Sequence, residues 1–282
     1  MTIARRVFLG YAVGALAGAV GCARSSAAAA TSAGTATPVS PARRRYDVLI
    51  RGGTVLDGAG GEGIDADVAL IGDRIAAVGP RLSGGARLEV DARALAVAPG
   101  FIDIHSHADG TLFDDPRAES VIRQGVTTVV VGQDGGSRAP LRAGPDDGNR
   151  SFASLGDFFA AVDRLPAAVN VGSMVGLGTV RRAVVGNADR PATPGELVRM
   201  EALVHAALSD GACGVSSGLE YTPGAFASRE ELVALCRPLA ERGLPYATHM
   251  RNEDDRLLEA VEEAIAVARG AGCALQISHL KT

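Results

Sequence analysis

From about residue 96 onward the chain alternates two hydrophobic patterns. Short apolar runs at 96–104, 126–131, 168–173, 212–216, 245–249 and 273–279 have the length of buried strands. Between them lie segments with helical periodicity, among them 196–209, 229–242 and 254–269. In the first of these, Leu197, Met200, Leu203, Val204, Ala207 and Leu208 fall on one stripe at 3.6-residue spacing. Six strand–helix units in series predict an α/β fold, with a parallel sheet inside and helices outside. Periodicity alone leaves a doubly wound sheet and a closed barrel both open.

The stretch before this region has a different rhythm. Residues 46–98 are β-rich, with short strands expected at Tyr46–Ile50 and Ala66–Ile71. Gly52-Gly53, Gly60-Gly61, Gly72-Asp73 and Gly84-Gly85 are the expected turns. Further upstream, Arg5-Arg6-Val7-Phe8-Leu9-Gly10 leads into an apolar stretch that ends at Gly21. That stretch is short for a membrane span and reads as a twin-arginine export signal, the alternative being an uncleaved anchor. Ala19-Val20-Gly21 before Cys22 resembles a lipoprotein cleavage box, which makes Cys22 a candidate lipid anchor. Ordinary cleavage in the Ala/Ser-rich stretch that follows is the competing reading. The expected organisation is a signal at 1–22, a flexible tether at 23–45, part of a small β-domain at 46–98 and a catalytic α/β domain at 99–282. The destination would be the periplasm or its membrane face.

Composition narrows the partners. The 28 basic and 32 acidic residues give a net charge of −4, and no basic stripe invites a polyanion. Aromatic residues are 4% and Trp is absent, so base stacking is not expected and nucleic acid is excluded as a partner. Cys213, Cys236 and Cys273 are widely spaced and without a C-x-x-C, so neither a disulfide framework nor a zinc ribbon is expected. Cys213 and Cys273 sit in apolar runs and are expected to be buried thiols.

Histidine placement carries the chemistry. There are five histidines, and four stand at the C-terminal ends of predicted strands: His105 and His107 after the first, His249 after the fifth and His279 after the sixth. In a β/α barrel those ends share one rim, where active sites lie. Side chains at i and i+2 of a strand point the same way, so His105 and His107 can face one metal ion, and neutral imidazoles suit Zn²⁺. His205 falls off the apolar stripe of its helix and is expected on the surface.

The surrounding residues resemble a known family. Pro99-Gly100-Phe101-Ile102-Asp103-Ile104-His105-Ser106-His107, following a β-rich segment, looks like the amidohydrolase superfamily. Its D-aminoacylase branch, the N-acyl-D-amino-acid deacylases, is a closer likeness. The motifs are Gln124–Gly132, Ser216–Ala225, Ala247–Glu253 and Ser278–Lys281, and the similarity runs from about residue 46 to the end. The resemblance implies a (β/α)8 barrel, of which about six units are present here, beside a partial small β-domain. It implies that His105, His107, His249 and His279 ligate one or two Zn²⁺ ions. It makes Lys281, the sole lysine, the receiver of a substrate carboxylate, with a solvated lysine as the other reading. Tyr221 becomes a candidate for polarising the scissile carbonyl, with packing as its other reading. Arg251 and Glu253 become candidates for contacting substrate or supporting a ligand, or for surface pairing.

Two departures from the family pattern matter. The branch carries a Gly-Asn-Cys-Gly turn whose Cys ligates zinc, whereas this chain reads Gly132-Gln133-Asp134-Gly135. Asp134 is therefore either a carboxylate ligand or a turn residue. The branch also places a general acid/base Asp on an eighth strand, and no such strand follows the sixth here. Cyclic-amide relatives bridge two metals with a strand-four lysine; with no lysine there, Glu220 is the candidate bridging carboxylate, or else a helix-capping or salt-bridged residue. The implied activity is metal-assisted hydrolysis of a linear amide, with a small N-acyl amino acid or related amide as substrate. Hydrolysis of a cyclic amide and an inactive metal-binding fragment are the alternatives.

Overall fold

In the computed structural model, which describes residues 44–141 and 151–281, the first element is the long strand β1 (Arg44–Val55). It pairs antiparallel with β2 (Ile64–Ile71), which pairs antiparallel with β3 (Arg74–Gly79) across the turn at Gly72-Asp73. On its other side β1 runs parallel to β4 (Gly85–Asp91) and then to β5 (Ala96–Val97). Leu49 and Ile50 are adjacent yet belong to separate apolar clusters, as alternation along a strand requires. The Gly52-Gly53 turn expected from the sequence is absent. β1 continues through it, and the pairing with β2 shifts register between Ile50 and Gly53. Gly52 takes φ +67°, and a side chain on Gly53 would lie 2.5 Å from Val97, so the pair forms a bulge that lets β5 approach. The predicted signal and tether lie outside the described residues.

The described residues fall into two compact units, 44–101 with 123–125, and 102–122 with 126–281. In the second unit the strands after β6 (Phe101–Asp103) follow one another in chain order: β7 (Val126–Val131), β8 (Asn170–Ser173), β9 (Val175–Gly176), β10 (Val215–Gly218), β11 (Pro245–His249) and β12 (Ala274–Ile277). One sheet has the order β6-β7-β8 and the other β12-β11-β10-β9. β7 and β8 are parallel, as are β9, β10, β11 and β12. Only Met174 separates β8 from β9, so one stretch of chain serves both sheets. The expected run at 96–104 is broken by Pro99, which has no N–H to donate; its first part, β5, joins the sheet of the first unit.

Helices follow the strands: α1 (Glu119–Ile122), α2 (Leu155–Asp163), α3 (Leu177–Val184), α4 (Pro194–Asp210), α5 (Arg229–Cys236) and α6 (Leu257–Ala271). α4 shows why its sequence is helical. Thr193 and Glu196 form a reciprocal capping box, Pro194 occupies the first turn, and Gly211 closes the helix at φ 111°. Met200, Val204, Ala207 and Leu208 of the expected stripe are buried, and His205 is exposed. The helix expected over 229–242 changes to a 3₁₀ turn from Arg237 to Arg242, because Pro238 removes a donor and crowds the preceding turn. The core of this unit joins Val129, Val131, Phe158, Val180, Met200, Val215, Leu232 and Tyr246. Cys213, Cys236 and Cys273 are free thiols. Cys236 is the buried one, whereas Cys213 and Cys273 are half-buried, a correction to the expectation for those two. No described helix is long and apolar enough to cross a membrane.

Candidate metal centre

Parallel strands put their C-terminal ends side by side. Gly218 pairs with His249, and Thr248 with Ile277, so the residues that leave β10, β11 and β12 emerge together. His249 is the last residue of β11, Glu220 and Tyr221 follow β10, and His279 follows β12. Asp134 lies in the turn after β7, and His105 and His107 come just beyond β6 rather than within it. Ligands of α/β proteins bind at such strand ends.

These residues converge. Asp134 Oδ2 lies 3.3 Å from His105 Nε2 and 3.2 Å from His107 Nε2. The His105 and His279 rings are 5.8 Å apart, and His105, Asp134 and His279 form one group able to hold a metal ion. His249, Glu253 and His279 form a second, so His279 is common to both. His249 Nε2 is 2.9 Å from Glu220 Oε2, and its Nδ1 is 3.2 Å from His279 Nε2. His107 touches Asp134 but stands outside the tighter groups, and its side chain is 64% exposed.

The donors fit a divalent cation. Asp134 Oδ1 is buried and has no hydrogen-bond partner, an expensive arrangement for a carboxylate unless a cation completes it. Glu253 Oε1 and His279 Nδ1 are likewise buried, 2.5 Å apart, and outside hydrogen-bonding geometry. Imidazole nitrogens and carboxylate oxygens together are the donor set that zinc accepts.

Asp134 owes its place to the backbone. It adopts φ +52°, left-handed for a residue with a side chain, between Gly132 at +74° and Gly135 at +75°. Gln133 is 2% exposed and donates to the carbonyls of Ile104 and Val130, which ties this turn to the segment bearing His105. The Gly135 carbonyl accepts from the Thr179 amide at the start of α3.

The remaining site residues are placed as follows. Tyr221 is half exposed, and its hydroxyl is 3.4 Å from His249 Nδ1. Partial burial and the charges of Asp134, Glu220 and Glu253 push its pKa up. Lys281 Nζ donates to Glu253 Oε2 at 2.6 Å, which raises the lysine pKa. Burial pushes the Glu253 carboxyl up, but the Lys281 hydrogen bond and the charges of His249, His279 and Lys281 outweigh it and hold its pKa below the usual range. Arg251 turns away from the histidines. Its Nε and Nη2 grip Glu263 of α6, and Nη1 and Nη2 donate to the carbonyls of Ala225 and Ala227. Sequence reasoning kept Glu253 outside the metal set, whereas the structure brings it between His279 and Lys281. Its spacing four residues after His249 was the available signal.

Residues 88–281 match the amidohydrolase family. The chain belongs to that family. It is 42% identical to the D-aminoacylase of Alcaligenes xylosoxydans xylosoxydans over 245 residues, which are 84% of this chain and 51% of that protein. It is also 42% identical to the N-acyl-D-aspartate deacylase of the same organism, over 83% of this chain and 49% of the relative. Among solved structures, the N-acyl-D-glutamate deacylase of Bordetella bronchiseptica, complexed with zinc and a phosphonate mimic of the tetrahedral intermediate, superposes with a TM-score of 0.78 at 38% identity, covering 82% of this amidohydrolase chain and 51% of the other. The chain thus spans about half the length of the curated relatives it matches.

Proposed function

We propose that this amidohydrolase acts in the zinc-dependent hydrolysis of the amide bond of N-acyl-D-amino acids. The observation that carries the reading is the convergence of His105, Asp134, His249, Glu253 and His279 at neighbouring strand ends, with His279 common to two ligand groups. The likeness to two deacylases at 42% identity supports the substrate class. The solved deacylase that holds zinc supports the ion. The parallel strands in chain order agree with the β/α barrel that the family resemblance implies.

His105, His107, Asp134, Glu220, His249 and His279 would hold one or two ions. A zinc ion bound there supplies Lewis acidity towards the amide carbonyl and lowers the pKa of water. The protein's own groups do the rest. Tyr221, with its pKa raised, keeps its proton at neutral pH and can donate to an oxygen that gains charge beside His249. Lys281 has an exposed ammonium next to the ligand cluster and can receive the carboxylate of an N-acyl amino acid. Arg251 could reach substrate only by releasing Glu263 and two carbonyls, so Lys281 is the better placed cation. Export through the twin-arginine route, with Cys22 as the candidate lipid anchor, belongs to the same proposal and rests on Arg5-Arg6 and the apolar run after them.

The test is an assay of the full protein, reconstituted with Zn²⁺, on N-acetyl-D-amino acids, N-acetyl-L-amino acids, hydantoins and dihydroorotate. Release of free D-amino acid supports the reading. Ring opening without deacylation would overturn it in favour of a cyclic-amide hydrolase.

A further inference from the structure

We infer that Ser216 is a positioning residue of the metal centre, acting through Asp134; this rests on the metal reading above. Ser216 lies in β10, is 0% exposed and faces the turn after β7. Its hydroxyl donates to the carbonyl of Gly132 at 2.6 Å and accepts from the amide of Gly135 at 3.1 Å. Those two backbone groups flank Gln133 and Asp134 on either side. One buried hydroxyl therefore closes the turn whose middle carries a carboxylate at φ +52°.

The seat around this latch is built to the same end. A side chain on Gly218 would lie 2.1 Å from the Asp134 carbonyl, and one on Gly135 would lie 2.5 Å from the Gly218 amide. A side chain on Gly176 would meet the Gly135 carbonyl at 2.4 Å. The turn is thus pressed onto the backbones of β9 and β10, with no room to shift sideways. The hydroxyl of Ser216 supplies direction, which contact alone does not. Without it, two backbone polar groups lose a partner at a buried position, and the left-handed residue between them is free to relax. The Asp134 carboxylate would then leave its position between His105 and His107. Ser216 touches none of the ligand atoms itself, so its influence on the metal runs through the turn.

The experiment measures Zn²⁺ affinity of the full protein by competition with a chromophoric chelator, for the unsubstituted chain, Ser216→Ala, Asp134→Asn and the double variant. Loss of a group that orients a ligand costs about 10–100-fold in metal affinity, and that loss is expected for Ser216→Ala. In the Asp134→Asn background the same serine substitution should change affinity little, because the group it positions has gone. An affinity unchanged by Ser216→Ala, or an equal loss in both backgrounds, would overturn the inference while leaving the metal reading intact. If Ser216→Ala does not fold, Ser216→Cys exchanges the hydroxyl for a larger thiol that weakens both hydrogen bonds, and it must lower the affinity as well. Failure of the unsubstituted protein to bind zinc would overturn the metal reading and this inference with it.

Discussion

Arg181 and Glu231 form an ion pair inside the protein, with Nη1 and Oε2 2.5 Å apart and side chains 1% and 4% exposed. The pair joins α3 to α5, and Arg181 Nη2 also donates to the carbonyl of Arg190. A buried pair need not be stabilising as a whole, but either partner alone is an uncompensated charge. Arg181→Ala or Glu231→Ala should therefore cost about 3–5 kcal/mol of unfolding free energy. A double replacement with apolar residues of similar volume should cost far less than the two single losses combined. Urea unfolding of the two single variants and the double variant checks this, and additive losses would contradict it.

The first unit contains a pair that responds to pH. Arg51 Nε donates to Glu89 Oε2 at 2.8 Å, and this hydrogen bond holds the Glu89 carboxyl below its ordinary value of 4.5. A folded pKa below the unfolded one adds stability that is complete above the unfolded value and is lost as pH falls through the folded value. Acidification from neutrality to below 4.5 should thus lower the denaturant midpoint. Glu89→Gln should remove part of that slope while leaving a protein already weaker at neutral pH. An acid slope identical in the variant would show that Glu89 has no part in it.

Much of this was legible in the chain because local patterns and tertiary structure agree. The stripe from Leu197 to Leu208 is read from spacing, and α4 buries its centre. Histidines at strand ends are read as a rim, and parallel pairing brings His249 and His279 to 3.2 Å. Other features depend on partners distant in sequence. Gly52-Gly53 has the composition of a turn, yet pairing with β2 and the approach of Val97 make it a bulge. Asp134 in a turn could be read as a ligand or as a turn former. What singles it out is Ser216, 81 residues on from Gly135 of the same turn, together with two histidines from before β7. Glu253 belongs to no strand, and only the fold brings it to Lys281, 28 residues on.

Two glycines make opposed predictions. Gly218→Ala would place a carbon 2.1 Å from the Asp134 carbonyl, a backbone atom that cannot swing aside. It should cost about 1–3 kcal/mol of stability, the range for overpacking, and also weaken zinc binding through the displaced turn. Gly195 lies in the first turn of α4, and a side chain there would meet nothing within 4 Å. Gly195→Ala should stabilise by about 0.4–1 kcal/mol by restricting the unfolded chain, with zinc affinity unchanged. Thermal unfolding and zinc titration of both variants decide the matter. Equal behaviour of the two would contradict the steric argument.

Zinc should act as a folding ligand. Asp134 Oδ1, Glu253 Oε1 and His279 Nδ1 are buried polar atoms with no hydrogen-bond partner, and the side chains that carry them belong to the two ligand groups. Such atoms penalise the metal-free fold, whereas a cation bound among them removes the penalty only while the strand ends are assembled. A ligand at about 100 times its Kd adds about 2.7 kcal/mol of stability when it binds only the folded state. Stripping with a chelator should thus lower the melting temperature, and readdition of Zn²⁺ should restore it. His249→Ala removes a 3%-exposed member of one ligand group and should lose most of the zinc-dependent increment. His205→Ala alters an exposed imidazole on α4 and should keep all of it. This contrast separates site binding from nonspecific association of zinc with surface imidazoles. Equal loss in the two variants would assign the increment to the surface and leave the strand-end histidines without a metal role.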